Sequence, residues 1–136
     1  MTSQIKPTNQ EIERFCSAAY SGSRLDIEHL LKKYGAQIAT MESEDGYHGF
    51  ALAACGGQVE MMRLMVSAGV DVNARDWRQH TALTAVTYWS NIKDDGIYKS
   101  VAFLLAHGAD INGKNQRGKT PLIDMAERGI DRAVEV

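Results

Sequence analysis

Residues 104–122 run LLAHGADINGKNQRGKTPL. The pair Leu104 and Leu105 predicts the end of an apolar helix, and Gly108 is the residue type that accepts the left-handed conformation beyond a helix C-terminus. An extended GADIN segment is expected next. The polar residues 115–118 then suit a turn between two short extended arms, and Thr120 with Pro121 opens a new helix with a hydroxyl cap and a proline in its first turn.

The same order of signals occurs earlier in the chain. Residues 64–83, LMVSAGVDVNARDWRQHTAL, repeat it element by element, with Thr81 standing where Thr120 stands. His48 and Thr81 are one period of about thirty-three residues apart, whereas the step from Thr81 to Thr120 is longer by about six. The extra residues are placed at 90–95, between two helices, because insertions in a repeat stack collect in loops on one face. Tyr88, Trp89 and Tyr98 flank them.

GVDVNARDWRQHTAL and GADINGKNQRGKTPL resemble the junction between successive repeats of the ankyrin family. The resemblance implies an all-α solenoid of about four stacked helix-turn-helix repeats with short β-turn or hairpin loops. A flexible arm at residues 1–7 is expected to precede the repeat domain at 8–136. Its repeats lie near 8–42 as the N-terminal cap, 43–75, 76–114 with the insertion, and 115–136 as an incomplete last repeat.

Local signals agree with these divisions. Thr8 and Glu11 have the spacing of a capping box, and Ile12, Phe15, Ala18 and Ala19 fall on one helical face. Ile27, Leu30 and Leu31 line the second helix of the first repeat, while Glu28, Lys32 and Lys33 give it a water-facing side suited to a terminal repeat. His48 and Gly49 stand where the family prefers Thr-Pro. That departure predicts a weaker start for the next helix, by about 1 kcal/mol for the lost hydroxyl cap. Met61, Met62 and Met65 read as core filling. In the last repeat Ile130, Val134 and Val136 leave an apolar edge.

Composition narrows the function. A formal net charge of -2 supplies no electrostatic argument for DNA, RNA or an anionic membrane. Cys16 and Cys55 are too few and too far apart for a disulfide framework, so a reduced, cytoplasmic location is expected. The opening MTSQIKPTNQEIERF lacks the apolar run of a signal peptide, and no later run has the length of a membrane span. His29, His48, His80 and His107 have no His or Cys partner at metal-ligand spacing. No Gly-rich phosphate loop follows a strand, and no acid and base pair stands out. Neither an enzyme nor a cofactor is expected.

Binding is the expected activity. The family presents its turns and the exposed side of its first helices as one concave surface, and the resemblance carries this role to matching positions. They are Glu44, Asp45 and Tyr47 in the second repeat, Trp77, Arg78 and His80 in the third, and Gln116, Arg117 and Lys119 in the fourth. Tyr88 and Trp89 extend the surface along a first helix. Aromatic and arginine side chains dominate interface energies, which makes another protein the expected partner. The turns also run from acidic at Glu42, Glu44 and Asp45 to basic at Lys114, Arg117 and Lys119, a gradient that would orient a partner. The alternatives are a stoichiometric inhibitor or immunity-type protein that blocks an enzyme, and ligand binding or catalysis at the loop from Trp89 to Tyr98. A monomer is expected, with a dimer through the incomplete last repeat as the alternative.

Overall fold

The computed structural model describes residues 6–76, 80–89, 94–114 and 117–127. Over these residues the chain forms seven α-helices: α1 (Asn9–Ser21), α2 (Arg24–Tyr34), α3 (Gly49–Cys55), α4 (Val59–Ser67), α5 (Ala82–Trp89), α6 (Asp94–Ala106) and α7 (Pro121–Glu127). The first helices of successive repeats stack as α1 on α3, α3 on α5 and α5 on α7, and the second helices α2, α4 and α6 form the layer behind them. The expected all-α repeat solenoid is the observed architecture.

Small residues set the spacing of the inner layer. Ala18 and Ala19 of α1, Ala53 and Ala54 of α3, and Ala82 of α5 are buried, and Ala51, Cys55 and Ala85 form their own small cluster between α3 and α5. Larger side chains fill the space between the layers. Phe15, Ile27, Leu30, Ile38, Phe50, Met62, Met65, Leu83, Ile97 and Leu104 are almost fully enclosed, so the core runs through the stack instead of gathering at one point. The methionines are core filling, as their spacing predicts.

Four residues begin the four first helices. Thr8 closes the predicted capping box, its hydroxyl accepting from Glu11 N at 3.1 Å while Glu11 Oε1 accepts from Thr8 N at 3.0 Å. Thr81 Oγ1 accepts from Thr84 N at 3.2 Å, and Thr120 Oγ1 accepts from Ile123 N at 3.4 Å. His48 overturns the expectation of a missing cap. Its Nδ1 accepts from Ala51 N at 3.1 Å, so an imidazole does the work of the hydroxyl. Gly49 has a separate steric reason: a Cβ there would lie 2.5 Å from the Phe15 ring, in space a proline would also need.

Two other local readings are corrected. The GADIN segment is not extended but folds into an Asx turn, in which Asp110 Oδ1 accepts from Asn112 N at 2.9 Å, and Asp71 treats Asn73 N in the same way at 2.9 Å. The supposed six-residue insertion does not lie wholly between helices, because Asp94 and Asp95 already belong to α6, which has 13 residues against 9 in α4. Residues 90–93 are outside the described set. At the step from α2 to the second repeat, a 3-10 helix at Ala36–Thr40 buries Ile38 and Ala39. That step carries no signal of the GADIN type.

Candidate functional site: an open groove on the inner face

The groove is built where α1, the hairpin at residues 42–48 and α3 meet. Glu42 and His48 form an antiparallel bridge, and Ser43 N donates to Tyr47 O at 2.8 Å. Gly46, at φ 86°, supplies the left-handed conformation that closes this turn. The hairpin is then tied to α1 by Glu13 Oε2, which accepts from Glu44 N at 2.8 Å. At the far end of α1, Gln58 Nε2 donates to Tyr20 O at 3.2 Å, and a Cβ at Gly56 would lie only 2.4 Å from that same oxygen. Absence of a side chain at Gly56 lets α1 and α3 close up there. Between these two ties lies an open groove of about 410 Å³, lined by Glu13, Cys16, Ser17, Tyr20, Ser43, Asp45, Tyr47 and Leu52.

Its chemistry is apolar below and acidic along one side. Tyr20 is 44% exposed, a large fraction for an aromatic ring, and Leu52 and Tyr47 are half-buried beside it. A smaller cleft of about 170 Å³ continues past Glu13 and Ser43 to Glu42 and Glu44. The described lining of the two clefts therefore carries four carboxylates and no lysine or arginine. Cys16 is buried under the groove with its thiol donating to Tyr47 O at 3.9 Å, and burial, helped by the Glu13 charge, pushes its pKa up to about 12. A thiol held this way is a packing group instead of a nucleophile.

A second set of titrating groups lies on the outer side of the first repeat and is structural. The hydrogen bond from Tyr34 Oη at 2.5 Å, the Thr8 backbone and Lys33 at 3.3 Å hold Glu11 down to about 2. This cluster locks the ends of α1 and α2 together. Among the described residues no three His, Cys, Asp or Glu side chains gather as a metal site, and no helix is long and apolar enough to cross a membrane.

Residues 15–115 match the family model described as ankyrin repeats, in three copies. The chain belongs to the ankyrin-repeat family. It is similar to the ankyrin repeat and KH domain-containing protein mask of Drosophila melanogaster, 38% identical over 72 residues, which is 52% of this chain and 2% of that protein. It is also similar to ankyrin repeat domain-containing protein 17 of Homo sapiens, 39% identical over 71 residues, 51% of this chain and 2% of that protein. The Mus musculus protein of the same name is 38% identical over 71 residues, again 51% of this chain and 2% of its own length. The aligned stretch thus covers a very small part of each of these relatives.

Within this ankyrin stack the site residues expected from sequence have different fates. Glu44 and Asp45 are exposed at the tip of the 42–48 hairpin, and Tyr47 is half-buried on the groove wall. His80 is corrected: it is fully buried, with its N–H donating to Asp76 Oδ1 at 3.0 Å, and so presents nothing to a partner. The ankyrin resemblance placed this residue among the variable turn positions, but here it is enclosed in the stack. Arg117 is exposed, whereas Lys119 Nζ is paired with Glu127 Oε1 at 2.5 Å, which weakens the basic end of the expected charge gradient. Trp77, Arg78 and Gln116 lie outside the described residues, and Tyr88 and Trp89 occupy the last turn of α5 with side chains outside that set. The groove itself uses Glu13, Ser17, Tyr20 and Leu52, none of which was singled out beforehand. The spacing of 13, 17 and 20 along α1 was the available signal, since it places the three on one helical face.

Proposed function

We propose that this ankyrin-repeat protein binds a partner protein on its inner face, with the groove between α1, the 42–48 hairpin and α3 as a principal contact. Ankyrin repeats are generally protein-interaction modules. The observation that carries the proposal is the 44% exposed Tyr20 ring at an apolar groove, within reach of the half-buried Tyr47 and Leu52. An aromatic anchor of this kind contributes most when a partner closes over it and removes water, where truncation costs roughly 2 kcal/mol or more.

The test is capture from native extract by the intact protein and by Tyr20→Ser combined with Leu52→Ser, with folding of both checked by circular dichroism. Retention of one protein by the intact form, with at least tenfold weaker retention by the folded double variant, is the expected outcome for about 1.4 kcal/mol or more of lost contact. Equal retention by both would remove the groove from the binding surface.

A further inference from the structure

We propose that the groove takes an extended segment of the partner in which one large apolar or aromatic side chain is flanked by lysine or arginine. This rests on the inner-face reading above and names the chemistry of its partner. Two independent features select that segment. The first is the floor, where Tyr20 and Leu52 offer apolar surface in a groove of about 410 Å³, within the range of about 300–1,000 Å³ that suits ligand pockets. That space accommodates an inserted side chain with its neighbouring backbone; a folded surface would have to present such a side chain on a protruding segment.

The second is the rim. Glu13, Glu42, Glu44 and Asp45 line the groove and its continuing cleft, and no cation lines either of them among the described residues. Glu13 spends one oxygen on Glu44 N, and Glu44 and Asp45 project from the hairpin tip as exposed side chains. Four carboxylates distributed over the groove and its continuing cleft repel an acidic partner and attract a basic one, and complementary charge of this kind sets orientation and encounter rate as well as affinity. The apolar floor adds a requirement that a simple polycation does not meet. Lysines or arginines on either side of the anchor reach the hairpin tip and Glu13 while the central side chain covers Tyr20.

The experiment uses the purified full chain and surface-displayed peptide pools built around a fixed central phenylalanine or leucine, one pool rich in Lys and Arg and the other rich in Asp and Glu. A third pool, rich in Lys and Arg, has alanine at the centre. Selection of the basic, apolar-centred pool is expected. Its affinity should fall by about tenfold or more in Glu13→Gln, Glu44→Gln, Asp45→Asn together, and fall again as salt shortens the Debye length from about 10 Å to about 3 Å. Glu13→Gln keeps a side-chain oxygen for the bond from Glu44 N, and circular dichroism separates loss through misfolding from loss of charge. Selection of the acidic pool overturns the proposal, as does binding of the basic pool that ignores both salt and the neutralised rim. Equal binding of the alanine-centred pool overturns the anchor. If no pool binds, the proposed segment is wrong, while the native-extract capture with Tyr20→Ser and Leu52→Ser separately decides whether the inner face binds at all.

Discussion

His48 shows how one substitution in a repeat can be absorbed. Its ring is fully buried, Nδ1 accepts from Ala51 N at 3.1 Å, and Nε2 lies 3.4 Å from Ala74 O, so the neutral tautomer with its proton on Nε2 satisfies both neighbours. Burial lowers its pKa below the ordinary value of 6.5, with the Ala74 carbonyl and the Asp76 charge pulling the other way. A histidine depressed in the folded state takes up protons more readily when unfolded. Its stabilising contribution is therefore complete above about pH 6.5 and is lost as pH falls toward the folded pKa, by at most about 1.4 kcal/mol per pH unit. Urea unfolding at a series of pH values should show this decline, and His48→Thr, which keeps a cap but cannot titrate, should flatten it. An unchanged slope in the variant would mean that other groups set the acid sensitivity. The imidazole cap was not legible in the sequence. Thr8, Thr81 and Thr120 were, because a hydroxyl cap is decided by residues three positions apart, whereas the role of His48 depends on a ring packed against the loop around Ala74.

At the scale of elements, side chains at the junctions between repeats also tie the stack together. Asn73, in the turn after α4, donates from Nδ2 to Gly108 O at 3.1 Å and accepts at Oδ1 from Asp110 N at 2.7 Å. One side chain thus bridges its own turn to the matching turn of the next repeat. Asn73→Ala loses both bonds and is expected to destabilise the protein by about 1–2 kcal/mol, with Asn73→Asp intermediate because it keeps the acceptor alone. Denaturant midpoints check the order; an alanine variant as stable as the original would show that water replaces the bridge without cost. Ser100 Oγ, buried and donating to Ala54 O at 2.7 Å, ties α6 to the end of α3 in a comparable way. The helices themselves were largely readable from apolar spacing and glycine stops. The start of α6 at Asp94 was not, since counting extra residues gives their number but not whether a helix takes them up.

For the whole molecule, each repeat is short, and its apolar face is completed only by the next. The same stacking produces the binding surface, because α1, the 42–48 hairpin and α3 come from two repeats and form the groove only when they are packed. This explains why the site was less legible than the fold. The ankyrin resemblance pointed to Glu44, Asp45 and Tyr47 as turn residues, but Tyr20 belongs to a first repeat that looked like a plain cap, and its exposure is a property of the packed groove. His80, chosen through the same resemblance, is buried, with its backbone N–H donating to Asp76 Oδ1. Hydrogen exchange of the protein alone and bound to its captured partner is the most direct test of the inner-face account. Slowed exchange at residues 42–48 and in the second half of α1 is predicted, while slowed exchange confined to α2, α4 and α6 would contradict it.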